Sequence, residues 1–187
     1  MNKVDVVIAG VGGQGNLLVA SLIAKAALSQ GLEAKRSEIK GLAQRGGPVQ
    51  SLVRIGEKVW SPLIEQGSAD ILLGLDPVEA LRYVQFLAPS GKAIASSNFA
   101  PNPVSFSQEE ILTKARNHGF FLLPATALAK QAGSVQSANI VVLGAASHFF
   151  PFPAEVFHRV IEENVKRFLE ENLKAFELGR QAIAIQP

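Results

Sequence analysis

Cysteine is absent from all 187 residues. That excludes structural disulfides, thiolate catalysis, Cys-ligated zinc and any iron–sulfur cluster held by this chain alone. Charge is scarce, at 18% against 48% hydrophobic residues, and basic residues exceed acidic ones by only two, 18 against 16. No Lys/Arg stripe interleaves with aromatics, so no nucleic-acid interface is expected. No uninterrupted apolar run reaches the roughly 18 residues of a membrane span, and the N-terminal stretch lacks the pattern of a signal peptide, so a cytoplasmic protein is expected. The three histidines, His118, His148 and His158, sit at a helix end, beside a phenylalanine pair and within an amphipathic stretch. Neither a nucleophile–base pair nor metal-ligand spacing accompanies them. The apolar surplus has two outlets: a sheet covered on both faces, or surface buried against a partner chain.

The residues that are present in informative order begin with Gly10-Val11-Gly12-Gly13-Gln14-Gly15. A β-rich run, residues 4–9, precedes this cluster, and an apolar run of good helix formers, residues 16–28, comes after it. This is a strand–loop–helix unit in which Gly10 allows the tight turn, Gly12 a close backbone approach and Gly15 the packing of helix on strand. The new helix turns free N–H groups and its positive dipole end toward the loop, a place suited to phosphate. A packing turn with nothing bound explains the same residues.

Further on, residues 32–39 read as a second strand carrying Lys35 and Arg36 where a dinucleotide site would carry an acid. The two cations suit a phosphorylated ribose, as in NADP or coenzyme A, and equally a solvated strand end. Residues 41–48 form a Gly-rich loop around Arg45, Gly46, Gly47 and Pro48, and residues 49–55 alternate like one strand of a hairpin at a sheet edge, turning at Gly56 toward Val59 and Trp60. Residues 68–75 read as a buried strand. Asp76, Pro77 and Glu79 open a short helix, which assigns both carboxylates to structure. Pro89-Ser90-Gly91 turns the chain into a strand at 92–96, residues 98–103 form a loop, and Ser107 to Glu110 is a capping box. A strand at 120–124 and a short helix at 125–131 precede residues 138–146, apolar on every side and so a fully buried helix in which Asn139 has a structural role. From Phe157 to Phe176 apolar residues recur every three or four positions, with Glu162–Lys166, Glu163–Arg167 and Glu170–Lys174 opposite, one long amphipathic helix covering a sheet. The alternation of strands and helices gives a three-layer α/β/α domain over residues 1–187, its sheet mixed and mostly parallel.

Two stretches together, residues 10–15 and Ser37-Glu38-Ile39-Lys40-Gly41-Leu42-Ala43-Gln44-Arg45-Gly46-Gly47-Pro48-Val49, resemble the gamma domain of 2-oxoacid:ferredoxin oxidoreductases. Within that group the chain is most similar to the beta subunits of the indolepyruvate enzymes. Residues 139–144 resemble the family's late asparagine–apolar–Leu-Gly stretch, and the similarity runs through essentially the whole chain. The resemblance implies a non-redox subunit, inactive alone, whose larger partner carries thiamine diphosphate and iron–sulfur clusters. The complex would convert an arylpyruvate such as indolepyruvate to an acyl-CoA and pass two electrons to ferredoxin. Gly10, Gly12, Gly13, Gln14 and Gly15 would form an anion-binding loop with coenzyme A as its candidate occupant. Gly46 and Gly47 would lie near the shared site, with Arg45 as the one catalytic candidate. Without its partner the isolated chain would be expected to self-associate as a homodimer. Two residue-level alternatives stand beside this: a stand-alone NADP-binding oxidoreductase and a ligand-free structural module.

Overall fold

The computed structural model describes residues 3–41, 46–101 and 107–184. Six strands form one sheet: β1 (Val4–Val11), β2 (Glu33–Lys40), β3 (Pro48–Gly56), β4 (Ala69–Gly74), β5 (Leu87–Ser96) and β6 (Phe120–Leu123), in the order β2-β3-β1-β4-β5-β6. The β1–β4, β4–β5 and β5–β6 pairs are parallel, whereas β3 runs antiparallel to both β1 and β2. The expected mixed, mostly parallel sheet is therefore present. The helices are α1 (Asn16–Ser29), α2 (Pro77–Arg82), α3 (Gln108–Asn117), α4 (Ala125–Ala132), α5 (Ala138–Ala146), α6 (Ala154–Asn164) and α7 (Leu169–Ala184).

Alternating residues of β1 sort the core into two faces. Val6 and Ile8 join α1, α5, α6 and α7 in the larger cluster, and Val7 joins α2 and α3 in the smaller. Helix α5 is the centre of the thick side, with every residue from Asn139 to Ala146 buried. Helix α1 stops where the sequence suggests, by a Schellman closure: Leu32 N–H donates to Ala27 O and Gly31 N–H to Leu28 O, with Gly31 at φ 76°.

Three expectations are corrected. First, β3 is not an edge strand paired with the segment after its turn. It lies between β1 and β2, almost wholly buried, and residues 57–60 form no strand. Burial on both faces hides as alternation because Gln50 and Ser51 are polar yet buried. Second, Pro89 to Gly91 do not turn the chain into β5. They form an irregularity inside it, between the Ala69–Leu87 and Ile71–Lys92 pairings.

Third, the C-terminal stretch is two helices. Val165 is extended, Phe168 takes φ 54°, and Asn172 Nδ2 donates to Arg167 O (3.2 Å) and Phe168 O (2.7 Å), tying the connecting turn to the second helix. The Glu162–Lys166 and Glu163–Arg167 spacings straddle this break. Helix α7 packs chiefly across α5 rather than on the sheet, while α6 lies against α1.

Local signals behaved as read. Asp76 Oδ1 accepts from Val78 and Glu79 N–H, and Ser107 and Glu110 close a reciprocal capping box. Glu79 is 6% exposed; its Oε1 meets Arg82 Nε at 3.2 Å, and its Oε2 has no partner among the described residues. Burial pushes its carboxyl above the ordinary range, Arg82 pulling it part of the way back. With the folded pKa raised, the unfolded chain loses this proton first, so the group's cost appears as pH rises above the unfolded value of about 4.3. Glu79→Gln should therefore raise urea stability by roughly 1 kcal/mol at pH 7, with the gain vanishing near pH 4. An equal effect at both pH values would refute the assignment.

Candidate functional site

The chain reverses its direction of travel across the sheet between β1 and β4. After β1 it crosses toward β2, and after β4 it moves toward β6, with α1 and α2 on opposite faces. In open α/β sheets ligands lie in the crevice beyond the strand C-termini at such a switch point. The glycine cluster occupies that place. Leu75 N–H, just past β4, donates to Ala9 O of β1 at 2.7 Å and closes the crevice floor.

Each loop residue has a definable position. Gly10 is still strand; a Cβ there would fall 2.8 Å from Asn16 Oδ1 and Gln14 Oε1, so it makes room for two amides rather than a turn. Gly12 does permit a close backbone approach, but by this chain's own second Gly-rich loop, its N–H donating to Gly47 O at 2.9 Å. Gly13 (φ 97°) and Gly15 (φ 86°) take left-handed conformations. Gly15 is the N-cap of α1 and packs directly beneath Asn139 of α5, leaving no space for a side chain. Gly15 therefore makes room for a side chain of α5, and not, as the sequence suggested, for the packing of α1 on its strand. The N–H groups of Asn16, Leu17 and Leu18 find no acceptor among the described residues, which leaves the first turn of α1 free to receive an anion.

The loop is a ridge between two clefts. One, about 370 Å³, is lined by Gly12, Gly13, Gly15, Asn16 and Leu17 on the α1 side, and by Glu38, Gly41, Gly46, Gly47 and Pro48 facing it. The other, about 230 Å³, lies beyond β4, β5 and β6 and includes Gly13, Gln14, Ser96, Asn98, Thr126 and Asn139. Among the described residues, Glu38 is the sole ionisable side chain lining either. Arg45 lies outside the described residues, between Gly41 and Gly46, which both line the larger cleft.

Lys35 and Arg36 are not brought to the loop. They sit mid-strand in β2, and Lys35 Nζ donates to Trp60 O. At about 3.3 Å per residue, Lys35 is roughly 16 Å from the loop end of β2. Because β3 separates β2 from β1, the second strand is also not where a dinucleotide-binding sheet would have it. The histidines remain structural: His118 ends α3, His148 Nε2 contacts Arg180 O, and His158 Nε2 lies 2.6 Å from Glu177 Oε1. Among the described residues no cluster of three or more His, Asp or Glu could hold a metal, and no helix is long and apolar enough to cross a membrane.

The sequence reading missed Asn98, placed in a loop, and gave Asn139 a purely structural role. Both line the smaller cleft. The available signal was position: Asn98 comes just after a strand C-terminus at the switch side of the sheet.

Comparison with known proteins gives a consistent result. The profile of the pyruvate ferredoxin/flavodoxin oxidoreductase family matches residues 5–182. Indolepyruvate oxidoreductase subunit IorB of Archaeoglobus fulgidus is 37% identical over 198 residues, spanning 99% of this chain and 98% of the relative. The subunit of the same description from Thermococcus kodakarensis is 35% identical over 195 residues, spanning 97% and 96%. Among solved structures, the gamma subunit of a keto/oxoacid ferredoxin oxidoreductase from Geobacter sulfurreducens aligns with a TM-score of 0.74 at 25% identity, covering 98% of this chain and 99% of that one. The 2-oxoglutarate:ferredoxin oxidoreductase of Magnetococcus marinus, solved with 2-oxoglutarate, coenzyme A and succinyl-CoA bound, shares the fold at a TM-score of 0.74 and 22% identity. All of this chain matches 32% of that one.

Proposed function

The chain belongs to the pyruvate ferredoxin/flavodoxin oxidoreductase family, and from that premise we propose that it is the non-redox subunit of a 2-oxoacid:ferredoxin oxidoreductase acting on an arylpyruvate. The near full-length similarity to two indolepyruvate oxidoreductase subunits carries this reading. The chemistry of the site supports it: among the described residues, two clefts with one carboxylate between them offer binding and orientation but no acid–base pair of their own. Thiamine diphosphate, iron–sulfur clusters and the contact with ferredoxin then belong to a larger partner chain. This chain contributes part of the coenzyme A site, its free α1 N–H groups suiting a phosphate of the cofactor. When bound, coenzyme A supplies the thiol that accepts the acyl group. The chain's own residues hold and orient the carrier. Arg45, beside the larger cleft in sequence, is the cation assigned to the shared site.

The reading is tested by co-expressing the chain with its larger partner and assaying ferredoxin reduction with arylpyruvates and coenzyme A. CoA-dependent turnover by the complex and none by the isolated chain is the expected result; a chain that purifies without a partner and binds NADPH would overturn it. Leu17→Glu sharpens the test. Leu17 is half exposed in the first turn of α1 and lines the larger cleft. An acid there favours the helix dipole but repels a phosphate at the same N–H groups. The KM for coenzyme A should rise at least about 10-fold, roughly 1.4 kcal/mol, with Tm unchanged or slightly higher. Arg45→Ala should lower turnover of the complex while the chain still folds.

A further inference from the structure

Four carboxamides line the smaller cleft, Gln14, Asn98, Gln136 and Asn139, and all but Gln136 are held in one orientation by a backbone N–H. Gln14 Oε1 accepts from Val11 N–H, Asn98 Oδ1 from Thr126 N–H and Asn139 Oδ1 from Ile140 N–H, each at 2.9 Å. A backbone N–H only donates, so these bonds fix which end of each amide is oxygen. Each NH2 group is thereby turned away from its anchor, and none has an acceptor among the described residues. Asn139 is 8% exposed. An acceptor on a ligand lying in the cleft would pair this donor in place of water. No charged side chain lines this cleft among the described residues.

A neutral wall of donors discriminates. Phosphates are better served across the ridge, where α1 presents free N–H groups and a positive dipole end. Carbonyl oxygens of an uncharged chain match amide donors without needing a cation. Gly13 lines both clefts, and the space where its side chain would project is open to at least 4 Å. A ligand with phosphates on α1 can therefore cross the ridge at Gly13 and lay an amide-bearing segment in the smaller cleft.

We propose that Gln14, Asn98 and Asn139 form a donor cradle for the pantetheine arm of coenzyme A, their NH2 groups donating to its amide carbonyls. This rests on the proposed contribution of the chain to a coenzyme A site. The test is a titration of the 15N-labelled full chain, observed at its side-chain NH2 resonances, with pantetheine and separately with adenosine 3′,5′-bisphosphate. Pantetheine should shift the NH2 pairs of Gln14, Asn98 and Asn139, and the bisphosphate should leave them in place. Asn98→Asp keeps the bond from Thr126 N–H but replaces the donor with an acceptor. It should weaken pantetheine at least about 10-fold without lowering Tm, whereas a purely structural role would leave the affinity unchanged. Shifts caused by the bisphosphate or inorganic phosphate and not by pantetheine would make the cleft an anion site and overturn the proposal. Absence of shifts with either probe would overturn it too. CoA-dependent turnover of the assembled complex would survive both results, so failure here is distinguishable from failure of the subunit assignment.

Discussion

Gly144→Ala should cost the fold at least about 4 kcal/mol, or prevent folding altogether. Helices α5 and α7 meet backbone to backbone through two glycines. A Cβ on Gly144 would intrude on the carbonyl oxygen, carbonyl carbon and Cα of Phe176, and one on Gly179 would intrude on the Val141 carbonyl group. These are main-chain atoms of regular helices, so no rotamer change relieves the clash. One helix must move as a body, and α5 is buried on every side. The displaced helix would take Phe176 with it, a fully buried ring 5.8 Å from Phe157 at the centre of the aromatic cluster. Overpacking a core usually costs about 1–3 kcal/mol because side chains share the strain. Here backbone bears it, which places the substitution in the exceptional range. Gly12→Ala is the control: its Cβ would have Gly46 N at 3.5 Å, an ordinary contact. Its stability in urea should stay within about 1 kcal/mol of wild type. Denaturation of Gly144→Ala at the wild-type midpoint would refute the close contact of α5 with α7.

These two glycines also mark where sequence stops being informative. The strand–glycine–helix unit, the Asp76 cap and the Ser107 box were legible because their partners lie within a few residues. Gly144 was visible only as part of an apolar run, since the residue that excludes its side chain, Phe176, lies on another helix far along the chain. The same applies to β3: an apolar-rich run announces a strand, but nothing local tells it to insert between β1 and β2. The break at residues 165–168 carries no Pro or Gly and keeps the helical period, so only the packing of α6 on α1 and α7 on α5 reveals it. In the candidate site the glycines were legible, while the donors around them were not. Asn98 receives the backbone N–H that orients it from Thr126, 28 residues on. Asn139 is turned by the next residue, but toward a cleft that exists only once β5, α4 and α5 are assembled.

The second large effect lies at the opposite end of the sheet. Asp5, fully buried on β1, stands directly across from Arg54 on β3 and receives its guanidinium at 2.6 Å and 3.0 Å. Arg54 also donates to Ser61 O, and the Asp5 hydrogen bonds hold its pKa above the ordinary arginine value, so the guanidinium stays charged. Lys3, half exposed, adds a contact at 2.7 Å. Arg54→Met keeps the length and apolar stem but strands a buried carboxylate, a change that costs about 3–5 kcal/mol. With Lys3 still in reach, the loss should fall at the lower end of that range. Removing the charge as well, in Asp5→Asn with Arg54→Met, should return at least half of the loss. A single variant as stable as wild type would refute the ion pair's role. Asp5 is roughly 20 Å along the strand from the loop end of β1. Folded Arg54→Met protein in the complex should thus keep its KM for coenzyme A: the ion pair fixes the β1–β3 register at one end, and the clefts inherit that register at the other.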